Sequence, residues 1–412
     1  MISTTQKRIA TLDVVRGVAV MGILLANLPA FALPHAAYFS PRAWGGTTTA
    51  DIVAWFATFV LIEGKMRGLF SLLFGASMLL IVDRARASGQ NAAAVHYPRM
   101  AVLFVIGVAH LYLIWWGDIL AHYALVGTVA FLFTRLETRA LVAWGLGFLA
   151  LSFLSGLAGY MALSDSAARD TPQAVATWVD FGRGFGVPPR AELEAELAAM
   201  RGSWIDNVRW RWVNATDPFS FLKLGALQTL SAMLLGMAAF RSGLLTGSWG
   251  RARLKRWAAL CLAIGLGGYA VLGVLTMTHG FDQRFVFLGS IVASEPFRML
   301  AIVGYAALAV LLVRPGGWLT ERIAAVGRAA FTNYLGTSIV VSAIFCGWGL
   351  GLFGSVSRAA IYLVAPMVWL IMLAWSKPWL DHFQYGPLEW AWRSVARWKL
   401  QPMRKRGMAA EA

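Results

Sequence analysis

The chain has 412 residues, of which 58% are hydrophobic and only 14% charged, yet its formal net charge is +16. A water-facing surface needs roughly 25% charged residues, so a soluble enzyme or nucleic-acid-binding domain is excluded and the solvent of this fold is lipid. The basic residues lie in short clusters between apolar runs, where they set topology and meet anionic headgroups, and the only cysteines, Cys261 and Cys346, sit inside apolar runs, which supports neither a disulfide framework nor a thiolate metal cage.

The N-terminus imitates a secretory signal, with Lys7-Arg8, an apolar run and Ala30-Phe31-Ala32. Asp13 and Arg16 near its start, Asn27 and Pro29 in its apolar core, and the many spans that follow read instead as an uncleaved first helix. Apolar runs of crossing length fall at 12–33, 52–82 (long and broken), 100–116, 118–135, 139–162, 219–240, 257–277, 297–313, 328–349 and 357–376. These runs predict an all-α polytopic membrane bundle of about ten spans, with both termini on one side. Basic residues concentrate at the termini and in the links Arg84 to Arg86, Arg135 to Arg139, Arg251 to Arg256 and Arg314 to Arg328, while the alternate links 34–50, 116–118 and 350–357 nearly lack them. That asymmetry puts the termini on the cytoplasmic side.

The long link 164–218 then falls outside despite Arg183, Arg190, Arg209 and Arg211, as long translocated segments escape the charge rule. Within it, Pro188-Pro189 precedes Glu192, Glu194 and Glu196 in an Ala/Leu-rich stretch that reads as a short amphipathic helix, either a lid over the outer face or a plain cover of the bundle. From Lys377 to 412, Trp379, Trp390, Trp392 and Trp398 alternate with Arg393, Arg397, Lys399 and Arg404 to Arg406, the composition of a helix lying in the cytoplasmic headgroup layer. No fixed-period repeat or Gly/Ser linker divides the chain, so one bundle domain is expected.

Ionisable groups at membrane depth are expensive and mark candidate sites. On the first span, Asp13 and Arg16 are three apart and share a face, so they can neutralise each other, and Asn27 lies roughly 16 Å further along, toward the outer half. In the long second span, Lys65 and Arg67 follow Glu63 at a depth where a cationic pair wants an anion: Glu63 itself, or a ligand phosphate. In the third group, Trp116-Gly117 is a tight outer link, which leaves His110 close below the surface and lets Asp118 reach back to orient its imidazole, with His122 just beyond. His110 is thereby the best general-base candidate, against the ordinary role of a satisfied structural histidine. No Walker loop, Gly-x-Ser-x-Gly, metal-ligand His spacing or dinucleotide fingerprint competes, and no metal is expected.

Several strings together resemble the YeiB-like family of bacterial inner-membrane proteins, whose C-terminal half carries a domain of unknown function. They are Leu12 to Gly17, Asn27 to Tyr38, Lys65 with Leu69 to Gly75, His110 with Gly117 to Leu120, Gly327 to Leu335 and Gly386 to Arg393. The N-terminal half is also similar to the transmembrane acyltransferase group that includes the lysosomal heparan-glucosaminide N-acetyltransferase, through Asp13, Arg16, Gly17 and Asn27. The polysaccharide-acylating members of that group have histidine at the position of Asn27, whereas the heparan enzyme has asparagine. The resemblance implies transfer of an acyl group from a cytoplasmic coenzyme A thioester to an acceptor on the far side. It also implies acyltransferase-like helices at 1–163 and the family's C-terminal helices at 219–376, on either side of the extracytoplasmic segment at 164–218 and ahead of the interfacial tail at 377–412. One departure stands out: the heparan enzyme's catalytic histidine precedes a Trp-x-Gly, and Pro41-Arg42-Ala43-Trp44-Gly45-Gly46 has none, so the base must be another, His110 or, in the same outer loop, His35.

The reading is therefore an acyl-CoA-dependent membrane acyltransferase, with acetyl-CoA the expected donor and a glycan, lipid or small molecule as acceptor. Arg16, Lys65 and Arg67, with Asp13, would hold the donor's phosphates, and His110, oriented by Asp118, would deprotonate the acceptor while Asn27 holds the acyl carbonyl. A transporter or channel for a small anion or lipid and a non-catalytic assembly partner are the alternatives; membrane lipids and a possible homodimer are the remaining partners, and nucleic acid is not one.

Overall fold

A computed structural model of the chain describes residues 4–214 and 217–405, and among these it contains eighteen α-helices and no strand. Arg406 and the end of the predicted interfacial tail lie outside the described residues. In chain order the helices are α1 (Thr4–Ala32), α2 (Thr49–Leu61), α3 (Lys65–Ala87), α4 (Ala92–Leu113), α5 (Leu120–Ala130), α6 (Thr138–Ala167), α7 (Pro172–Phe185), α8 (Arg190–Arg201) and α9 (Trp204–Asn214). There follow α10 (Ser220–Arg241), α11 (Arg251–Thr278), α12 (Gln283–Phe287), α13 (Ser294–Leu312), α14 (Trp318–Arg328), α15 (Ala330–Phe345), α16 (Arg358–Ile361), α17 (Val364–His382) and α18 (Pro387–Ala396).

Among the described residues, seven stretches are long and apolar enough to cross a membrane, and the shorter apolar helices Leu120–Phe133 and Ala330–Phe345, with the 22-residue α10, stand at the other expected positions. The chain is an all-α polytopic bundle. Its outer surface explains the composition: Leu146, Leu151 and Leu154 on α6, Leu260, Ile264 and Val271 on α11, and Leu370 and Ile371 on α17 are all exposed, an apolar belt that only lipid would cover.

At the centre stands α1, packed by α14, α3, α15 and α13 and buried on nearly every side from Leu12 to Leu33, so it carries no amphipathic stripe. At Gly327 a Cβ would sit 1.8 Å from the Asp13 carbonyl oxygen, so only glycine lets α14 lie backbone to backbone on α1. The long second span is broken, as expected. Gly64 turns the chain with φ of 70°, and the freed backbone is satisfied from within: Lys65 Nζ donates to the Phe59 and Glu63 carbonyls at 2.8 and 3.1 Å and lies over the Tyr269 ring.

The turns between α3 and α4, α5 and α6, α10 and α11, and α13 and α14, with the segment from Phe383 onward, gather at one end, called here the basic end. At the opposite end, 164–218 is more ordered than its single predicted helix: α8 starts after Pro189 as expected, and α7 and α9 flank it. These helices are tied down by Gln283 Nε2 to the Trp178 carbonyl (3.0 Å), Arg201 Nε to that of Phe353 (2.8 Å) and Arg211 Nε to that of Tyr112 (2.9 Å).

Candidate functional site

The break between α4 and α5 builds the first part of the site. The link 114–119 is too short for anything but a tight turn, so the end of α4 and the start of α5 face each other, and His110 Nδ1 meets Asp118 Oδ1 at 2.8 Å with both side chains buried. Asp118 Oδ2 accepts the Ala121 amide at 2.8 Å, so the carboxylate caps α5 and orients the imidazole at once. With Nδ1 committed, Nε2 is the working nitrogen, and it is buried without a partner.

Below this dyad a narrow cavity of about 190 Å³ runs toward the basic end. Its deep wall is apolar and aromatic, with Phe70, Leu103, Ile119, Tyr123 and Tyr334, and its basic-end wall carries Arg16, Arg99, Arg328 and Arg393. Four guanidiniums beside an apolar shaft suit an anion with an apolar or flexible arm. Arg16 is held by Asp13 Oδ1 (2.9 Å), Ser77 Oγ (2.8 Å) and the Gly327 carbonyl (3.3 Å). The amphipathic α18 closes this end: Trp392 Nε1 donates to the Arg99 carbonyl at 3.0 Å, and the Arg99 guanidinium lies 4.6 Å from the Trp392 ring.

Above the dyad, at the opposite end, a chamber of about 760 Å³ lies under α8 and α9, lined among others by His35, Trp116, Glu196, Trp210 and Arg211. The His35 amide donates to Glu196 Oε1 at 2.9 Å, and its ring meets Trp116 edge-on at 4.4 Å. Between chamber and cavity stand Trp115, whose ring centroid is 6.2 Å from that of His110, and Tyr334, at 5.5 Å from it. His110 lines neither space; of its neighbours, Trp116 lines the chamber and Ile119 and Tyr334 line the cavity.

The structure does not bring all the predicted site residues together. Asp13 and Arg16 meet at the arginine wall, and His110 and Asp118 meet above it. Lys65 is fully buried at the α2–α3 break, its ammonium taken by backbone carbonyls, and lines neither space. Arg67 donates to Gln228 Oε1 at 3.2 Å, beside a buried network in which Gln228 and Ser152 hold Glu295 Oε1. Lys65 and Arg67 therefore do not join Arg16 in the wall of the arginine-lined cavity. Asn27 is half-buried and lines neither cavity, and His122 bonds Thr229 Oγ1 at 2.9 Å. Among the described residues no group of His, Cys, Asp or Glu could hold a metal ion.

Comparison with known proteins sets this geometry in a family. Residues 239–399 match the family described as "Protein of unknown function (DUF418)". The uncharacterized protein YxaH of Bacillus subtilis (strain 168) is 31% identical over 415 residues, covering 98% of this chain and 97% of the relative. The uncharacterized protein YeiB of Escherichia coli (strain K12) is 30% identical over 406 residues, covering 94% and 96%. The chain belongs to the YeiB-like family. In this YeiB-like chain the matched region supplies Gly327, Arg328, Ala330, Phe331, Tyr334, Glu389, Trp392 and Arg393 to the cavity wall, and α1, α3, α4, Ile119 and α5 supply the rest, so neither half makes the site alone.

Arg328 and Arg393 escaped the sequence reading because each sits in a charge-rich stretch that topology alone accounts for, and Arg99 because it is a lone cation at the edge of an apolar run. Their signal was the company of aromatics: the Gly386 to Arg393 motif of the YeiB-like resemblance carries Trp392 and Arg393 side by side.

Proposed function

We propose that this YeiB-like chain is an acyl-CoA-dependent acyltransferase of the bacterial inner membrane, with its basic end cytoplasmic. The observation that carries the reading is the arginine-walled cavity, whose apolar shaft stops beside a carboxylate-oriented histidine. Arg16, Arg99, Arg328 and Arg393 would hold the phosphates of coenzyme A, and the pantetheine arm would run up past Phe70, Leu103 and Tyr123. The acceptor, a hydroxyl or amine, would enter from the opposite-end chamber over Trp116 and Trp115. His110, its tautomer fixed by Asp118, would take the acceptor's proton as the new bond forms. The similarity of the N-terminal half to the transmembrane acyltransferases supports the same donor and direction.

A transporter for a small anion or lipid is the second reading. It is favoured by one feature: two spaces lie toward opposite ends of the bundle, with Trp115, His110 and Tyr334 in ring contact near the inner end of the arginine-lined one.

Calorimetry of acetyl-CoA on detergent-purified protein separates the two, with Arg16→Ala and Arg393→Ala as paired controls. Saturable binding that weakens at least about tenfold in each variant, the loss of one charge-assisted phosphate contact, is the expected result. Well-folded protein that binds neither acetyl-CoA nor longer acyl-CoAs, yet passes an anion across liposomes, would replace the acyltransferase reading with the transporter.

A further inference from the structure

Arg99 stands apart from the other cations of the cavity wall. It follows Pro98 on α4 and is only 7% exposed. Its backbone carbonyl accepts from Trp392 and its guanidinium rests on the Trp392 ring, yet none of its guanidinium nitrogens has a hydrogen-bond or ion-pair partner among the described residues. The charged groups that act on it are two more guanidiniums, those of Arg393 and Arg397. The other arginines of the wall each have something to hold: Arg16 has Asp13 and Ser77, Arg328 the Gln384 carbonyl at 3.4 Å, and Arg393 the Tyr385 side chain, over whose ring it lies at 4.3 Å. Taking an arginine out of water without a counter-charge is costly, and such a residue at membrane depth marks a ligand site.

The charge of the wall narrows the ligand. Against its four guanidiniums stand two carboxylates, Asp13 beside Arg16 and Glu389 in the wall itself. Glu389 is spent on the fold: its Oε1 accepts the amides of Phe331 and Thr332 at 2.7 and 3.1 Å and its Oε2 accepts Thr332 Oγ1 at 2.6 Å, which pins α18 to the N-terminus of α15. A surplus of two positive charges is left along the wall, with Arg397 close behind Arg99. A carboxylate or a phosphodiester brings one negative charge, whereas a phosphomonoester brings nearly two at pH 7, on three terminal oxygens that can meet two guanidinium forks. Arg99 and Arg393 both line the cavity, so a ligand inside it reaches them without any change in the fold.

We propose that Arg99 and Arg393 form a subsite for a phosphomonoester dianion, and that in the acyltransferase reading, on which this assignment rests, the dianion is the ribose phosphate of coenzyme A. Arg16 and Arg328 are then left for the pyrophosphate bridge. Because Arg99 belongs to α4 and Arg393 to α18, the dianion also ties these two helices together and closes the basic end over the donor. The subsite makes the protein selective: a donor without the ribose phosphate leaves Arg99 as buried and unpaired as it is in the empty cavity.

Calorimetry of acetyl-CoA against acetyl-3′-dephospho-CoA, on the full-length protein in phosphatidylcholine nanodiscs, tests the subsite without knowing the acceptor. Wild type is expected to bind the dephospho donor at least about tenfold more weakly, and Arg99→Ala to bind the two donors within about twofold of each other. Arg393→Ala, on a different helix, is the second variant and is expected to lose the discrimination in the same way, whereas Arg16→Ala is expected to weaken both donors and keep it. Wild type that binds the two donors equally, or an Arg99→Ala protein that still separates them about tenfold, overturns the subsite and leaves the donor reading standing. Nanodiscs that also carry phosphatidate probe the other source of the same chemistry. Arg99-dependent competition by that lipid, without discrimination between the two donors, overturns the assignment to the donor and gives the subsite to a lipid headgroup. Wild type that binds neither donor removes the acyl-CoA reading and this assignment with it.

Discussion

Lys65 shows how depth and partner separate at the level of a single residue. Its position inside the membrane was legible from a count along the second span, but its partners were not, because a broken helix exposes backbone carbonyls that no side-chain pattern records. The ammonium is fully buried on the carbonyls of Phe59 and Glu63. Lys65→Met keeps the length of the side chain and leaves both acceptors unpaired, a cost of about 2–5 kcal/mol. The expected outcome is a lower melting temperature with acetyl-CoA affinity unchanged in the folded fraction. Arg16→Ala is expected to lower acetyl-CoA affinity in the folded fraction as well as the melting temperature, because it also leaves the buried Asp13 carboxylate without its partner. Calorimetry beside a thermal melt on the two variants distinguishes structural cation from ligand cation. His110 and Asp118 were legible for the opposite reason: a short link forces its neighbours together whatever the rest of the fold does.

Among the elements, the covering helices α7 to α9 carried the least sequence signal. Only α8 has a strong one, a proline start and a glutamate-rich first half, and what these helices cover depends on contacts of α9 with the far end of α4 and of α8 with the loop after α15. Its Glu196 faces the chamber and is held by the His35 amide, and burial pushes the carboxyl from 4.5 up to about 7. The folded protein thus keeps a proton there that the unfolded segment has already released, so the contact stabilises the fold most below about pH 4.5 and loses that stabilisation as pH rises toward about 7. Burial holds His35 below its usual range, the Arg183 guanidinium holds Glu192 down, and Arg211, though lowered to about 10, stays charged. Limited proteolysis between α7 and α8 is therefore expected to accelerate between about pH 5 and about pH 8 relative to a peptide control, and Glu196→Gln is expected to flatten the dependence. The arginine cavity, by contrast, was hidden by distance along the chain: Trp392 meets Arg99 across 293 residues, and no periodicity reports such a pairing.

For the molecule as a whole, the decisive property is which end faces the cytoplasm. The ten apolar runs were legible because crossing lipid requires long stretches with few charges, and each has its helix in the fold; the sidedness rests on where the arginines lie. The two native cysteines are 4% and 5% exposed, a silent background for thiol labelling. Ser88→Cys, in the exposed turn between α3 and α4, and Ala168→Cys, in the exposed turn after α6, mark the two ends. With a membrane-impermeant maleimide, Ala168→Cys is expected to react in intact spheroplasts and Ser88→Cys only after permeabilisation. The result bears directly on mechanism, because acyl-CoA is a cytoplasmic thioester too large and too charged to cross lipid unaided. With the basic end inside, the four arginines meet that pool, and the acyl group would move past Trp115, His110 and Tyr334 to reach the outer chamber. The opposite labelling pattern would put the arginine cavity beyond the reach of any acyl-CoA, and the same four guanidiniums would then have to be assigned to an anion arriving from outside the cell.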